Sequence, residues 1–200
     1  MHIRAPAILL SARAHGETGV IARLLTRDHG LLAAYVAGGR GRQLRPVVIP
    51  GNLVEADIRS RAESQLPFAR LELTASRGPW LNEPLPAAAI GWVCALAASV
   101  LPERHAYPAL HSALSALLDA ICHAPSARGW TGGMIGFERL LLRELGYGGE
   151  GMGGDDGWAA TMAEFDRQAL LIERYLLADR RGDVMAARAM LRDRLARIAD

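Results

Sequence analysis

The chain has 200 residues, half of them apolar and 22% charged, enough core material for one or two compact domains and not the composition of a disordered chain. All 23 cations are arginine, which excludes a Schiff-base lysine and any GxxxxGK[ST] phosphate loop; Cys94 and Cys122 form no CxxC pair, so a disulfide scaffold and a cysteine-rich zinc site are excluded too. The net charge of +2 hides a division: residues 1–80 carry 11 Arg against 6 acids (net +5) and residues 81–200 carry 12 Arg against 15 acids (net −3), which directs the first part towards a polyanion.

Apolar runs separated by turn signals predict five strands in the first 76 residues, at 7–12, 19–26, 31–37, 52–60 and 68–75. In the fourth, Val54, Ala56 and Ile58 alternate with Glu55, Asp57 and Arg59, and in the fifth Leu71 and Leu73 are expected inward. Five short strands with no helix between them predict a small closed or nearly closed barrel. After residue 80 the spacing becomes helical, over 87–101, 108–123, 132–145, 158–178 and 183–199, with Asp183 as an N-cap for the last. The expectation is an α+β chain with residues 1–80 as the barrel and 81–200 as a helical bundle, interrupted by a glycine-rich linker at 146–157. No secretory signal is expected at the start, and the most apolar stretch, 87–101, falls short of the ~20 residues that span a bilayer. A soluble cytoplasmic protein follows as the expectation.

Residues 38–46 (GGRGRQLRP) are the strongest functional signal. Gly38, Gly39 and Gly41 can take positive φ, so backbone N–H groups could converge on a phosphate, and Arg40, Arg42 and Arg45 add guanidinium forks matched to phosphate oxygens. Arg13, Arg23, Arg27, Arg59 and Arg61 lie on segments that a barrel could bring near this loop. Single-stranded nucleic acid is held by such cations together with aromatic faces. Tyr35 and Phe68 are the aromatics available, but each sits in an apolar run and is expected in the core.

Taken together, the run ILLSARAHGETGVIARLLTRDHGLLAAYVAGGRGRQLRPVVIPGNLV (8–54), with its HGE, LLT, HG, GGRGR and PGN pieces, resembles the N-terminal barrel of the RecO family of recombination mediator proteins. LPERHAYPAL (101–110) and FERLLLRELGYG (137–148) are similar to that family's helical part. The resemblance implies an OB-fold followed by a helical domain, with no enzymatic turnover and no cofactor. It implies binding of single- and double-stranded DNA, strand annealing, and loading of the recombinase RecA onto strands coated by the single-strand-binding protein SSB, in DNA repair by the RecF pathway. RecR, RecA and the acidic C-terminal tail of SSB would be partners, and the location bacterial, cytoplasmic and nucleoid-associated. The basic loop carries over to Arg40, Arg42 and Arg45 as phosphate contacts. The SSB tail carries over to Phe137, Arg139, Leu140 and Arg143, although Gly136 stands where a basic residue is expected. Many relatives hold a four-cysteine zinc site after the Gly-Tyr-Gly. Here residues 148–157 contain no cysteine, so no zinc is expected.

Two rival readings come from the residues themselves. The barrel could be an adaptor for acidic peptides, or His15, Glu17, Asp28 and His29 could gather as metal ligands or an acid–base pair, though turn chemistry alone accounts for them. Glu103 is expected to pair with a nearby arginine and His111 to be an ordinary helix histidine. The arginines at 174–197 alternate with acids, which predicts a solvated face; Arg188 and Arg192, one turn apart, are the candidates there for a second DNA surface.

Overall fold

The computed structural model describes residues 1–60, 62, 65–148, 157–178 and 184–198. Arg61, Arg180, Arg181, the Asp183 cap and most of the glycine-rich segment lie outside the described residues. Five strands, β1 (His2–His15), β2 (Gly19–Thr26), β3 (Gly30–Val36), β4 (Leu53–Arg59) and β5 (Phe68–Ala75), close on themselves in the order β1-β2-β3-β5-β4. The long β1 makes closure possible. Its first half pairs with β4 from His2 to Ile8, its second half with β2 from Ala7 to His15, and a register shift between Leu9 and Ser11 bends it from one partner to the other. β3 meets β5 in parallel at Tyr35 and Phe68. This is the five-stranded Greek-key arrangement of an OB-fold.

Alternation places small and branched side chains inside the barrel, among them Leu24 of β2, Ala34 of β3 and Val54, Ala56 and Ile58 of β4. Leu73, expected inward, lies beside the β4–β5 register shift and is exposed. β1 begins well before the predicted 7–12. Arg4 and Pro6 interrupt the apolar pattern there, yet the backbone stays extended and Arg4 Nε reaches Glu55 Oε1 at 3.3 Å across the pair.

Among the described residues five α-helices follow: α1 (Pro84–Val100), α2 (Pro108–His123), α3 (Arg128–Glu144), α4 (Trp158–Leu176) and α5 (Val184–Leu195). α1 and α2 each carry proline in the first turn, where its missing N–H has no helical acceptor to lose. α1 is apolar nearly all round, so it is buried nearly all round, between the other helices and an outer patch of the barrel formed by Ile8, Leu10, Leu25 and Leu31. Barrel and helices therefore share one core at this seam. Gly30 (φ 67°) sits so close to the α1–α2 connection that a Cβ there would stand 2.0 Å from the His105 carbonyl oxygen. The Arg104 N–H donates to the Leu31 carbonyl at 2.9 Å, and the expected partner of Glu103 is Arg23, at 3.5 Å across the same seam.

The charged C-terminal helix departs from the solvated face its alternation predicts. Arg188 is 2% exposed, and its guanidinium donates through Nε (3.1 Å) and Nη2 (2.9 Å) to the fully buried Glu138 and through Nη2 to the Phe165 carbonyl (2.7 Å). Trp92 Nε1 donates to the same Glu138 at 2.8 Å, so one carboxylate ties α1, α3 and α5 together. Arg192 is held by Asp166 with bonds of 3.0 and 2.8 Å. Neither arginine is left over for a second DNA surface; both join α5 to the rest of the bundle. Among the described residues, no helix is long and apolar enough to cross a membrane.

Candidate nucleic-acid interface

The basic loop leaves β3 at Val36 and rejoins the barrel at Leu53, and internal hydrogen bonds fix it along its length. The Arg40 N–H donates to the Thr18 carbonyl (2.9 Å) and its Nη1 to the Glu17 carbonyl (3.0 Å), which seats the loop against the β1–β2 hairpin. The N–H groups of Gly41 and Arg45 close turns onto Gly38 (2.8 Å) and Gly41 (2.9 Å). At the far end the buried Asn52 side chain donates to the carbonyls of Pro46 (2.9 Å) and Val47 (3.0 Å) and accepts from the Arg77 N–H (2.7 Å).

These bonds correct the expected phosphate cradle. Gly38 alone of the three loop glycines has positive φ (68°), and the N–H groups of Gly39, Arg40, Gly41 and Arg45 already serve backbone carbonyls. Gly39 is required for space instead, since a Cβ would come 2.6 Å from Val20 Cγ2. Anion contact from this loop therefore falls to its side chains. Arg40, Arg42 and Arg45 are exposed and have no acidic partner among the described residues.

The strand register shows which other cations belong with the loop. On the outer face, Arg13 of β1 stands opposite Ile21 of β2, Ile21 opposite Tyr35 of β3, Tyr35 beside Phe68 of β5, and Phe68 opposite Arg59 of β4. One row of side chains thus crosses the whole sheet with an arginine at each end. Arg13 is exposed and has no acidic partner among the described residues, whereas Arg59 binds Asp57 through Nε (2.9 Å) and Nη2 (2.8 Å). That bidentate contact holds the Asp57 carboxyl down at about 2. Arg23 and Arg27 do not join the row. Arg23 pairs with Glu103 at the helical seam, and Arg27 lies in the β2–β3 turn near His111, which burial and this charge hold below its ordinary value.

Tyr35 and Phe68 were expected in the core, and both face outward. Phe68 is 62% exposed, and the two rings meet edge to face with centroids 5.4 Å apart. The Tyr35 ring lies against Gly19, where a Cβ would be 2.3 Å from Cε2, and its other side meets His15 at 5.9 Å. The outward direction was readable: with Leu71 and Ala69 inward, parity turns Phe68 out.

Of the residues that the resemblance implies for a protein partner, Phe137 is 3% exposed and part of the core. Arg139 is bonded to Glu164 at 2.5 Å, Leu140 is partly buried, and only Arg143 is well exposed, 3.7 Å from Glu144. The His15/Glu17 and Asp28/His29 pairs occupy turns at opposite ends of β2, about 25 Å apart for a strand of this length, so they cannot share an ion. No other group of metal-ligating side chains is assembled among the described residues.

The family model described as "Recombination protein O N terminal" matches residues 1–77, and that described as "Recombination protein O C terminal" matches residues 83–150. The chain belongs to the RecO family. The DNA repair protein RecO of Phenylobacterium zucineum is 41% identical over 150 residues, covering 74% of this chain and 60% of the relative. Its namesake in Rhodospirillum centenum is 44% identical over 143 residues, 71% of this chain and 56% of the relative. That of a Ruegeria species is 39% identical over 149 residues, with 74% and 61% covered. The chain spans about 60% of the length of the curated RecO proteins it matches. Both halves of the loop-bearing barrel and α1–α3 fall inside the matched residues, while α4 and α5 lie beyond them.

Proposed function

We propose that this chain is the DNA-holding part of a recombination mediator in DNA repair. The observation that supports this reading is the set of exposed arginines without acidic partners among the described residues: Arg40, Arg42 and Arg45 on the loop, which Arg40 seats against the β1–β2 hairpin, and Arg13 on the outer face of β1. Each can release a counterion by taking a phosphate, so affinity comes from charge and does not depend on sequence. Arg59 joins them once a phosphate displaces Asp57, and Arg61, outside the described residues, is read as a further phosphate contact. Arg23 and Arg27 contribute to the longer-range field at the seam end.

The role is positional, with no covalent step and no cofactor. Single strands held open along the barrel can meet a complement, which is annealing, and duplex DNA uses the same phosphate contacts. In this reading RecR, RecA and the SSB tail are partners of the helical half, and recombinase loading onto SSB-coated strands needs both halves. For the SSB tail, the outward side of α3 at Leu140 and Arg143 is the contact, supported from beneath by Phe137 and with Arg139 released from Glu164.

Fluorescence anisotropy with a labelled single-stranded oligonucleotide over a salt series tests the reading. Replacing Arg40, Arg42 and Arg45 together by alanine removes three phosphate contacts and flattens the slope of log K against log salt by about 2, from about 0.7 per contact on single strands. Absence of binding by the unaltered protein at low salt overturns the reading, and leaves the adaptor for acidic peptides in its place.

A further inference from the structure

An aromatic ring 62% exposed on a strand, packed against a second ring and set in a row ending in two arginines, is more than a stray apolar side chain. Phosphate contacts alone explain the arginines and leave the rings unexplained. The rings do not clamp a base between parallel faces, because their planes cross at 86°. The outer ring, Phe68, offers a free face. The inner ring, Tyr35, is fixed from below by the bare backbone of Gly19 and from the side by His15, so it buttresses Phe68.

Resting on the proposed DNA-binding reading, we infer that Phe68, held by Tyr35, stacks on an unpaired base and makes this barrel face selective for single strands over duplex. Duplex bases are already stacked on each other, so a duplex can offer this face only its phosphates, whereas an extruded base in a single strand can cover the ring. The surroundings give the nucleotide a direction. A groove of about 320 Å³ opens beside Phe68, lined by Ala37, Asp57, Arg59, Ala69 and Arg70. Arg59 and Arg70 stand at the groove with the single acid Asp57 held by Arg59, so the base covers the ring and the backbone follows the arginines, Arg59 exchanging Asp57 for a phosphate. Arg59 is one strand from Phe68, roughly 5 Å, and Arg13 three strands away, roughly 14 Å, so phosphates on both sides of the stacked base find a cation.

The test compares labelled oligothymidylate with a duplex of equal length, by anisotropy in one buffer, for the unaltered chain and for Phe68→Ala and Phe68→Trp. Phe68→Ala lowers single-strand affinity about 5- to 150-fold, the range for losing one base–aromatic stack, and changes duplex affinity less than about twofold. Phe68→Trp retains single-strand affinity, since any π face serves. Retained duplex binding also shows that the variant is folded. If Phe68→Ala leaves single-strand affinity unchanged, or lowers both affinities equally, the inference is overturned while the phosphate reading stands. If the unaltered chain binds neither, the phosphate reading falls and takes this one with it.

Discussion

Arg188→Met tests whether the charge pair at the centre of the helical half holds the C-terminal helix in place. Methionine keeps the length and apolar stem of arginine but leaves Glu138 facing Trp92 Nε1 with no counter-charge, and the Phe165 carbonyl without its donor. Burial already pushes the Glu138 carboxyl above its ordinary value, and Arg188 pulls it back; without that pull it rises further. Breaking a buried pair from one side costs about 3–5 kcal/mol, which for a chain of this size lowers Tm by about 6–20 °C. The pH dependence has a definite sign. A carboxyl whose folded pKa is raised binds its proton more tightly when folded, so stability is lost as pH rises from the ordinary glutamate value through the raised one. Arg188→Met therefore melts higher near pH 5 than near pH 8, measured by calorimetry or far-UV circular dichroism. Adding Glu138→Gln removes the orphaned charge and keeps an oxygen for Trp92, so the double variant recovers much of the loss. An Arg188→Met protein that melts within about 2 °C of the parent at both pH values, or a double variant no better than the single one, refutes the reasoning.

Two more outcomes follow from the barrel. Asp57→Asn frees Arg59 for a phosphate, steepening the single-strand salt slope by about 0.7 and raising affinity about fivefold at 0.1 M salt; an unchanged slope shows that Arg59 takes no part. Gly38 and Gly30 share a positive φ but differ in surroundings, so Gly38→Ala in open space costs about 1–2 kcal/mol, while Gly30→Ala also drives a Cβ into the His105 carbonyl and costs at least twice that. Melting temperatures of the two variants within about 2 °C of each other contradict that account of the seam.

The strands were legible because one face of each meets a dry interior, and alternation reports that directly: β2, β4 and β5 begin or end within a residue or two of where the pattern puts them. Legibility failed where a side chain's surroundings come from far along the chain. β3 is apolar on both faces, and the sequence does not say that its outer face is covered at Leu31 by the helices but bare at Tyr35. Arg188 reads as one of many alternating surface charges, and the acid that buries it is Glu138, 50 positions away. α3 starts at Arg128, before the predicted 132, because Gly129 and Thr131 in its first turn weaken the helical signal there, which packing on α2 overrides. In the basic loop, composition identified the cations, but only the structure shows that the N–H groups of Gly39, Arg40, Gly41 and Arg45 are taken by backbone carbonyls.

The Asn52 anchor and the Arg40 seat have a kinetic consequence. Ordering a slack loop when DNA arrives would cost about 1–2 kcal/mol for each residue fixed, and that penalty would slow capture and release. Here the backbone between Gly38 and Asn52 is already ordered by its own bonds, leaving mainly arginine rotamers to settle. In the proposed DNA-holding role, a strand can then be taken up and released without remodelling the protein.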